Sequence, residues 1–184
     1  MLTHLTIQNF VIVERIELSL EPGFTVLTGE TGAGKSILID ALMLALGGKS
    51  DTDQIRQGCE RAEIIAEFNI EHLPDTQRWL QENDLADDSG SCILRRVIEA
   101  NGRSRHFING ISVALQQLRA IGDQLVDIHG QHAHQSLLRS DAQRALLDGF
   151  AGNDALLAQV KAAYQHWHSL NQQRLAWEIN QSAF

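Results

Sequence analysis

Apolar and polar residues alternate across residues 2–10, Leu-Thr-His-Leu-Thr-Ile-Gln-Asn-Phe, which is the two-residue period of a half-buried strand. A second strand is expected over residues 11–20, where Ile12, Leu18 and the stretch from Arg15 to Glu17 fit less regularly. Glu21-Pro22-Gly23 then turns the chain into Phe24-Thr25-Val26-Leu27-Thr28, a short β-prone run of the kind that forms a buried strand. Residues 37–46 are almost wholly apolar and helix-like, and Gly47-Gly48 suit a helix C-cap. Another strand is expected over residues 61–70, then a short helix over 74–83 with Trp79 and Leu80 turned inward. Residues 92–98 and 103–108 flank Asn101-Gly102, a strong hairpin signal because both residues tolerate positive φ. A two-residue turn would pair Ala100 with Arg103 and Ile98 with Arg105. A helix over residues 114–121 and a buried strand over 125–128 complete this part, and that strand ends in the polar loop His129-Gly130-Gln131-His132-Ala133-His134-Gln135.

Beyond Gly152 the period changes. Leu156, Val160, Ala163, Trp167, Leu170, Trp177 and Phe184 follow alternating steps of three and four once Arg174 and Gln181 fill their turns. That spacing is a heptad seam and predicts a coiled-coil partner strand; the alternative is an amphipathic helix packed on its own domain.

Composition narrows the class. With 184 residues and 43% hydrophobic content, the chain suits one domain, or one domain with an appendage, around a real core. A net charge of −8 argues against tight nucleic-acid binding by the segment as a whole. Arg95, Arg96, Arg103, Arg105 and His106 nevertheless concentrate on one hairpin, either as a phosphate-binding patch or as a solvated face. No apolar run is long enough to span a bilayer, and no secretory signal is evident. Cys59 and Cys92 carry no metal-ligand spacing, so a reducing, cytoplasmic setting is the simplest expectation. His129, His132 and His134 lack a carboxylate or thiolate at matching spacing and are not expected to hold zinc.

The strongest chemical signal is Gly29-Glu30-Thr31-Gly32-Ala33-Gly34-Lys35-Ser36, or G-x-x-x-x-G-K-S, between a strand-like run and a helix-like one. Glycines let successive backbone N–H groups aim at phosphate oxygens, and the helix start adds partial positive charge. Lys35 is placed to reach the β- and γ-phosphates, and the Ser36 hydroxyl to ligate Mg²⁺. The ligand class is a nucleoside triphosphate with Mg²⁺, and ATP is what the family resemblance below implies. Gln131, in a polar loop after a strand, can present an amide to Mg²⁺ and to the attacking water.

Residues 5–10, the phosphate loop with Thr28, Gly102-Arg103-Ser104-Arg105, Phe107-Ile108-Asn109-Gly110 and Ile128-His129-Gly130-Gln131-His132 together resemble the RecN family of bacterial DNA repair ATPases. These are SMC-like proteins with ABC-type heads. The resemblance implies an α/β fold: the amino-terminal half of an ABC/SMC-type P-loop ATPase head, made of a β lobe and a partial α/β core, followed by the start of a coiled-coil helix. It implies a head segment over residues 1–152 and a coiled-coil arm over 153–184. Gly29, Glu30, Thr31, Gly32, Ala33, Gly34, Lys35, Ser36 and Ile37 would hold the triphosphate, with Lys35 and Gln131 in catalytic roles and Ser36 and Gln131 on Mg²⁺. Arg56 would stand near the γ-phosphate. Implied partners are the carboxy-terminal half of the same head, a second head joined on ATP binding, and DNA in the intact protein, with no membrane and a cytoplasmic, nucleoid-associated location.

The departures from the family pattern are specific. The chain has no Leu-Ser-Gly-Gly-like signature and no apolar run ending in Asp-Glu; Ile121-Gly122-Asp123 and Val126-Asp127 are poor substitutes. A half-head with negligible turnover of its own is therefore expected, acting within a protein of DNA double-strand-break repair and recombination. The competing readings are a self-contained small P-loop kinase or NTP-binding switch, with the arginine hairpin as its lid, and a module that mainly docks a partner.

Overall fold

The computed structural model describes residues 1–28, 34–87, 89–126, 128 and 140–181. It divides into two units, residues 1–127 and 128–184. In the first unit six strands form one antiparallel sheet: β1 (Leu2–Phe10), β2 (Val13–Ser19), β3 (Arg61–Asn69), β4 (Ser91–Glu99), β5 (Ser104–Ile108) and β6 (Ile111–Ser112). Their spatial order is β2-β1-β3-β4-β5-β6. Helices α1 (Lys35–Ala45), α2 (Pro74–Glu82) and α3 (Leu115–Leu125) are interspersed with the strands, and a single 3-10 turn, Thr52–Gln54, lies between α1 and β3.

The sheet has one apolar face because its strands alternate as the sequence predicts. Leu5 and Ile7 of β1, Ala62, Ile64, Ala66 and Phe68 of β3, and Cys92, Leu94 and Ile98 of β4 are buried in one core. Ala41, Leu44 and Ala45 of α1 and Leu118 and Ile121 of α3 close that core. Alanines on both α1 and β3 permit a close approach of helix to sheet. Burial pushes the Cys92 thiol up to about 12, so it behaves as a small apolar side chain.

One cation shares this face. Arg96 of β4 is 1% exposed. Its Nη1 donates to the Leu44 carbonyl at 3.2 Å and the Gly48 carbonyl at 3.0 Å, its Nη2 to Ser50 Oγ at 3.1 Å and its Nε to Ser104 Oγ at 3.0 Å. Burial, then the nearby Arg119 charge, lowers its pKa to about 10, so it remains charged at neutral pH. His106 of β5 carries a buried Nε2 with no hydrogen-bond partner. Desolvation first, and the Arg96 charge second, hold its pKa below the usual histidine range.

Several elements depart from expectation. The run 24–28 is not a strand; Phe24 is 94% exposed and Val26 64%, because no described strand pairs with it. The hairpin pairs Glu99 with Arg103 across a three-residue loop, with the Glu99 amide donating to the Arg103 carbonyl at 2.9 Å and Gly102 at φ +84°. Ile98 therefore faces Ser104, not Arg105. This one-residue difference turns Ser104 and His106 toward the core and Arg105 outward. Leu125, expected to open a buried strand, instead closes α3, and Val126 alone continues in extended conformation before residues outside the description.

The second unit holds α4 (Ser140–Ala151) and α5 (Asp154–Gln181), separated by Gly152 at φ +66°. At 28 residues α5 is about 42 Å long. Its seam residues Leu156, Val160, Trp167, Leu170 and Trp177 are all at least half exposed. Phe184 lies outside the described residues. Tyr164 stacks on His168 with ring centroids 5.8 Å apart, one helical turn along.

His106 gives this fold a pH signature. Because its folded pKa is depressed, the unfolded chain binds the proton more readily, so stability is full above the ordinary histidine pKa of about 6.5 and falls as the pH drops below it. Melting curves recorded from pH 7.5 to 5.5 should show a smaller loss of Tm for His106→Gln than for the unaltered chain; equal losses would remove His106 as the cause.

Candidate nucleotide-binding site

Helix α1 begins at Lys35, directly after Gly34, which has φ −135° and ψ −48° and supplies no side-chain cap. No acidic residue occupies the first turn. The Leu38 amide already returns to the Gly34 carbonyl at 3.2 Å. The preceding amides of Lys35, Ser36 and Ile37 are the ones that a helix leaves without an intrahelical acceptor. A helix start whose first amides lie outside the intrahelical ladder, with a lysine and a hydroxyl in its first turn, is a donor set suited to an anion and its counter-cation. The donor set fits a Mg-nucleotide. Gly34, Lys35, Ser36 and Ile37 are described; Gly29, Glu30, Thr31, Gly32 and Ala33 lie outside the described residues, as does Gln131. His129, His132 and His134 lie outside them too, and no metal-binding cluster of His, Cys, Asp or Glu occurs among those described.

The carboxyl end of α1 is built differently. Leu46 and Gly47 donate back to Leu42 and Leu44 to end the helix, and Gly47 adopts φ +98°. Arg119 of α3 donates its Nε to the Gly47 carbonyl at 2.7 Å. Gly122 of α3 lies so close that a Cβ there would meet the Leu46 carbonyl oxygen at 2.7 Å. Two guanidiniums, from Arg96 and Arg119, thus satisfy carbonyls at the negative pole of the helix whose positive pole bears Lys35 and Ser36.

Arg56 is fixed to the end of β1. Asp51 and Gln54 form a capping box, Ile55 bridges Phe10, and the Arg56 amide donates to the Asn9 carbonyl at 2.9 Å. Its guanidinium meets the Glu14 carboxylate at 3.5 Å and is 38% exposed. The neighbouring turn is strained, with β-branched Val11 at φ +51° held by its amide bond to the Gln54 carbonyl at 2.7 Å.

The hairpin arginines do not form one patch. Arg95 pairs with Glu63 at 2.6 Å and lies 5.1 Å over the Phe107 ring, Arg105 pairs with Glu99 at 2.6 Å, and Arg96 is buried on the opposite face. The solvated-face reading suits Arg95 and Arg105, and no arginine-rich lid is assembled from them. Arg96 and Arg119 were not singled out by sequence as supports of α1. The detectable signal was the inward series Cys92, Leu94, Arg96, Ile98, where a charge stands in an apolar file.

The chain is similar to the DNA repair protein RecN of Vibrio cholerae, at 47% identity over 173 residues, and to that of Haemophilus influenzae, at 49% over 175 residues. Each alignment covers 94% of this chain, and the chain spans 31% of the length of each relative. Among solved structures, an Smc head domain with an extended coiled coil from Pyrococcus furiosus aligns at TM-score 0.64 and 21% identity, over 90% of this chain and 45% of that one. A structure from work on ATP-driven dimerisation and DNA-stimulated activation of SMC ATPases aligns at 0.58 and 22%, over 80% of this chain and 97% of that one. These two likenesses establish an SMC-head type of fold. The AAA domain family matches residues 4–178, spanning the phosphate loop, the sheet and most of α5, and the chain belongs to that family.

Proposed function

We propose that the chain is the nucleotide-binding part of an SMC-like ATPase head that acts in DNA double-strand-break repair and recombination. The observation that carries this reading is the uncapped amino end of α1, which directly follows the Gly29 to Gly34 loop and bears Lys35 and Ser36. The relatives named RecN, at nearly half identity, support the repair context.

In this reading the amides of residues 29–37 bind and orient the triphosphate tail of ATP. Lys35 neutralises charge on its outer phosphates. Ser36 and Gln131 hold Mg²⁺, Gln131 by the family resemblance alone. When bound, Mg²⁺ supplies neutralisation of the phosphate charge. Arg56 turns toward the γ-phosphate only by releasing Glu14, which is a weak, largely exposed pairing. The general-base carboxylate and the signature that closes on nucleotide are assigned to the rest of the intact protein, so ATP hydrolysis belongs to the assembled head.

The partners follow from uncovered surface. Residues 24–28 are β-prone, apolar and exposed beside the phosphate loop, a place for a strand from the carboxy-terminal half of the same head. Residues 1–152 form the head segment and residues 153–184 begin the coiled-coil arm, whose exposed seam takes a second helix. A second head joins on ATP binding, and DNA contact belongs to the intact protein rather than to the hairpin arginines. No helix among the described residues is long and apolar enough to cross a membrane, in keeping with a cytoplasmic, nucleoid-associated protein.

Titration calorimetry with Mg-ATP should detect binding by the chain, and Lys35→Ala should weaken it by about ten- to a hundredfold, the value of one or two charge-assisted hydrogen bonds. Equal affinity in the two proteins would contradict the phosphate-loop assignment. Steady-state assays should find negligible ATP turnover by the chain alone. Co-expression with a segment bearing a Leu-Ser-Gly-Gly-like signature and an acidic strand should confer turnover that Lys35→Ala abolishes, and robust Lys35-dependent turnover by the chain alone would refute the half-head reading.

A further inference from the structure

Helix α1 is secured at one end. Its fully buried side chains, Ala41, Leu44 and Ala45, all lie in its carboxyl-terminal half, whereas its first two turns contribute nothing more enclosed than the half-buried Ile37 and Leu38. Beyond Ala45 the anchoring becomes denser. Arg96 holds the carbonyls of Leu44 and Gly48 from β4, Arg119 holds that of Gly47 from α3, and Gly122 brings the α3 backbone against Leu46. The helix is therefore held chiefly at its negative pole, with Lys35 and Ser36 at its positive pole.

The leverage is large relative to the tolerance. Eleven residues span about 16 Å, so a rotation of about 2° at the clamp displaces Lys35 and Ser36 by about 0.5 Å. A binding constellation tolerates roughly that displacement before it loses its geometry. Arg96 cannot serve as the adjustable part of the clamp, because all its described partners surround it in the core. Arg119 can: its guanidinium reaches from the exposed side of α3 and is a second, independent hold on the same helix end.

We propose that Arg119 is a positioning residue for nucleotide binding, acting through the carboxyl end of α1 on the placement of Lys35 and Ser36. The inference rests on the phosphate-loop reading of the preceding section. Arg119 touches neither phosphate nor metal. Its effect is on where α1 points, and removing it loosens the grip on Mg-ATP more than it loosens the fold.

The test compares Mg-ATP affinity and Tm in the full 184-residue chain for four proteins: unaltered, Arg119→Met, Arg119→Lys and Leu80→Ala. Arg119→Met keeps an apolar stem and removes the donors; its Kd should rise by about two- to thirtyfold, the range over which residues without ligand contact modulate a distant site. Arg119→Lys retains a cation able to reach the Gly47 carbonyl and should recover most of the affinity. Leu80→Ala empties a core position on α2; it should lower Tm at least as much while leaving Kd unchanged, which separates helix placement from general stability. Unaltered affinity in Arg119→Met, or an affinity loss in Leu80→Ala that matches its loss of Tm, would overturn the positioning role while leaving the nucleotide site intact. Absence of Mg-ATP binding by the unaltered chain would instead overturn the phosphate-loop reading and the inference with it.

Discussion

A guanidinium buried beneath the end of a helix organises this fold. Arg96 enters the apolar face of the sheet with carbonyls and hydroxyls as its described partners, and through them it joins β4, β5 and the segment that leaves α1. Burying a cation without a carboxylate is costly unless its donors are satisfied, and here three nitrogens donate four hydrogen bonds. Two of those bonds fall on carbonyls at the negative pole of α1, where a positive charge is also favourable electrostatically. The cost falls on one end of the helix, and the other end starts without a side-chain cap and with no acidic residue in its first turn. His106, neutral beside this charge, is a consequence of the same arrangement.

Much of this could be read from the chain. The period of two located β1, β3, β4 and β5, the apolar stretch after the glycine-rich motif located α1, and steps of three and four located α5. The misses have a shared physical origin in partners that periodicity cannot supply. Phe24 to Thr28 has strand propensity, yet propensity does not create a ladder when no described strand lies alongside. The hairpin was expected from Asn101-Gly102, but choosing a three-residue loop over a two-residue one depends on twist and on the Ala100 amide bond to the Glu60 carbonyl. That single choice decided which of the adjacent arginines and histidines face the core.

The residues that open α1 were legible in the sequence, and the anchoring of that helix was not. Lys35 and Ser36 open α1 as their spacing implies, while Arg96 and Arg119 are distant in sequence and act on the far end of the helix. Arg56 illustrates the opposite case. Sequence resemblance nominates it, and the structure pairs it with Glu14 next to a strained turn. Residues 24–28 and the seam of α5 each expose apolar side chains, which the proposed function assigns to contact with further protein.

Amide hydrogen exchange along α1 tests the central claim most directly. A helix clamped at its carboxyl end should protect the amides of residues 42–46 strongly in the nucleotide-free protein, exchange those of Leu38, Ile39 and Asp40 faster, and lose that gradient when Mg-ATP is added. Uniform protection along the helix before nucleotide is added, or a gradient that Mg-ATP leaves unchanged, would contradict it.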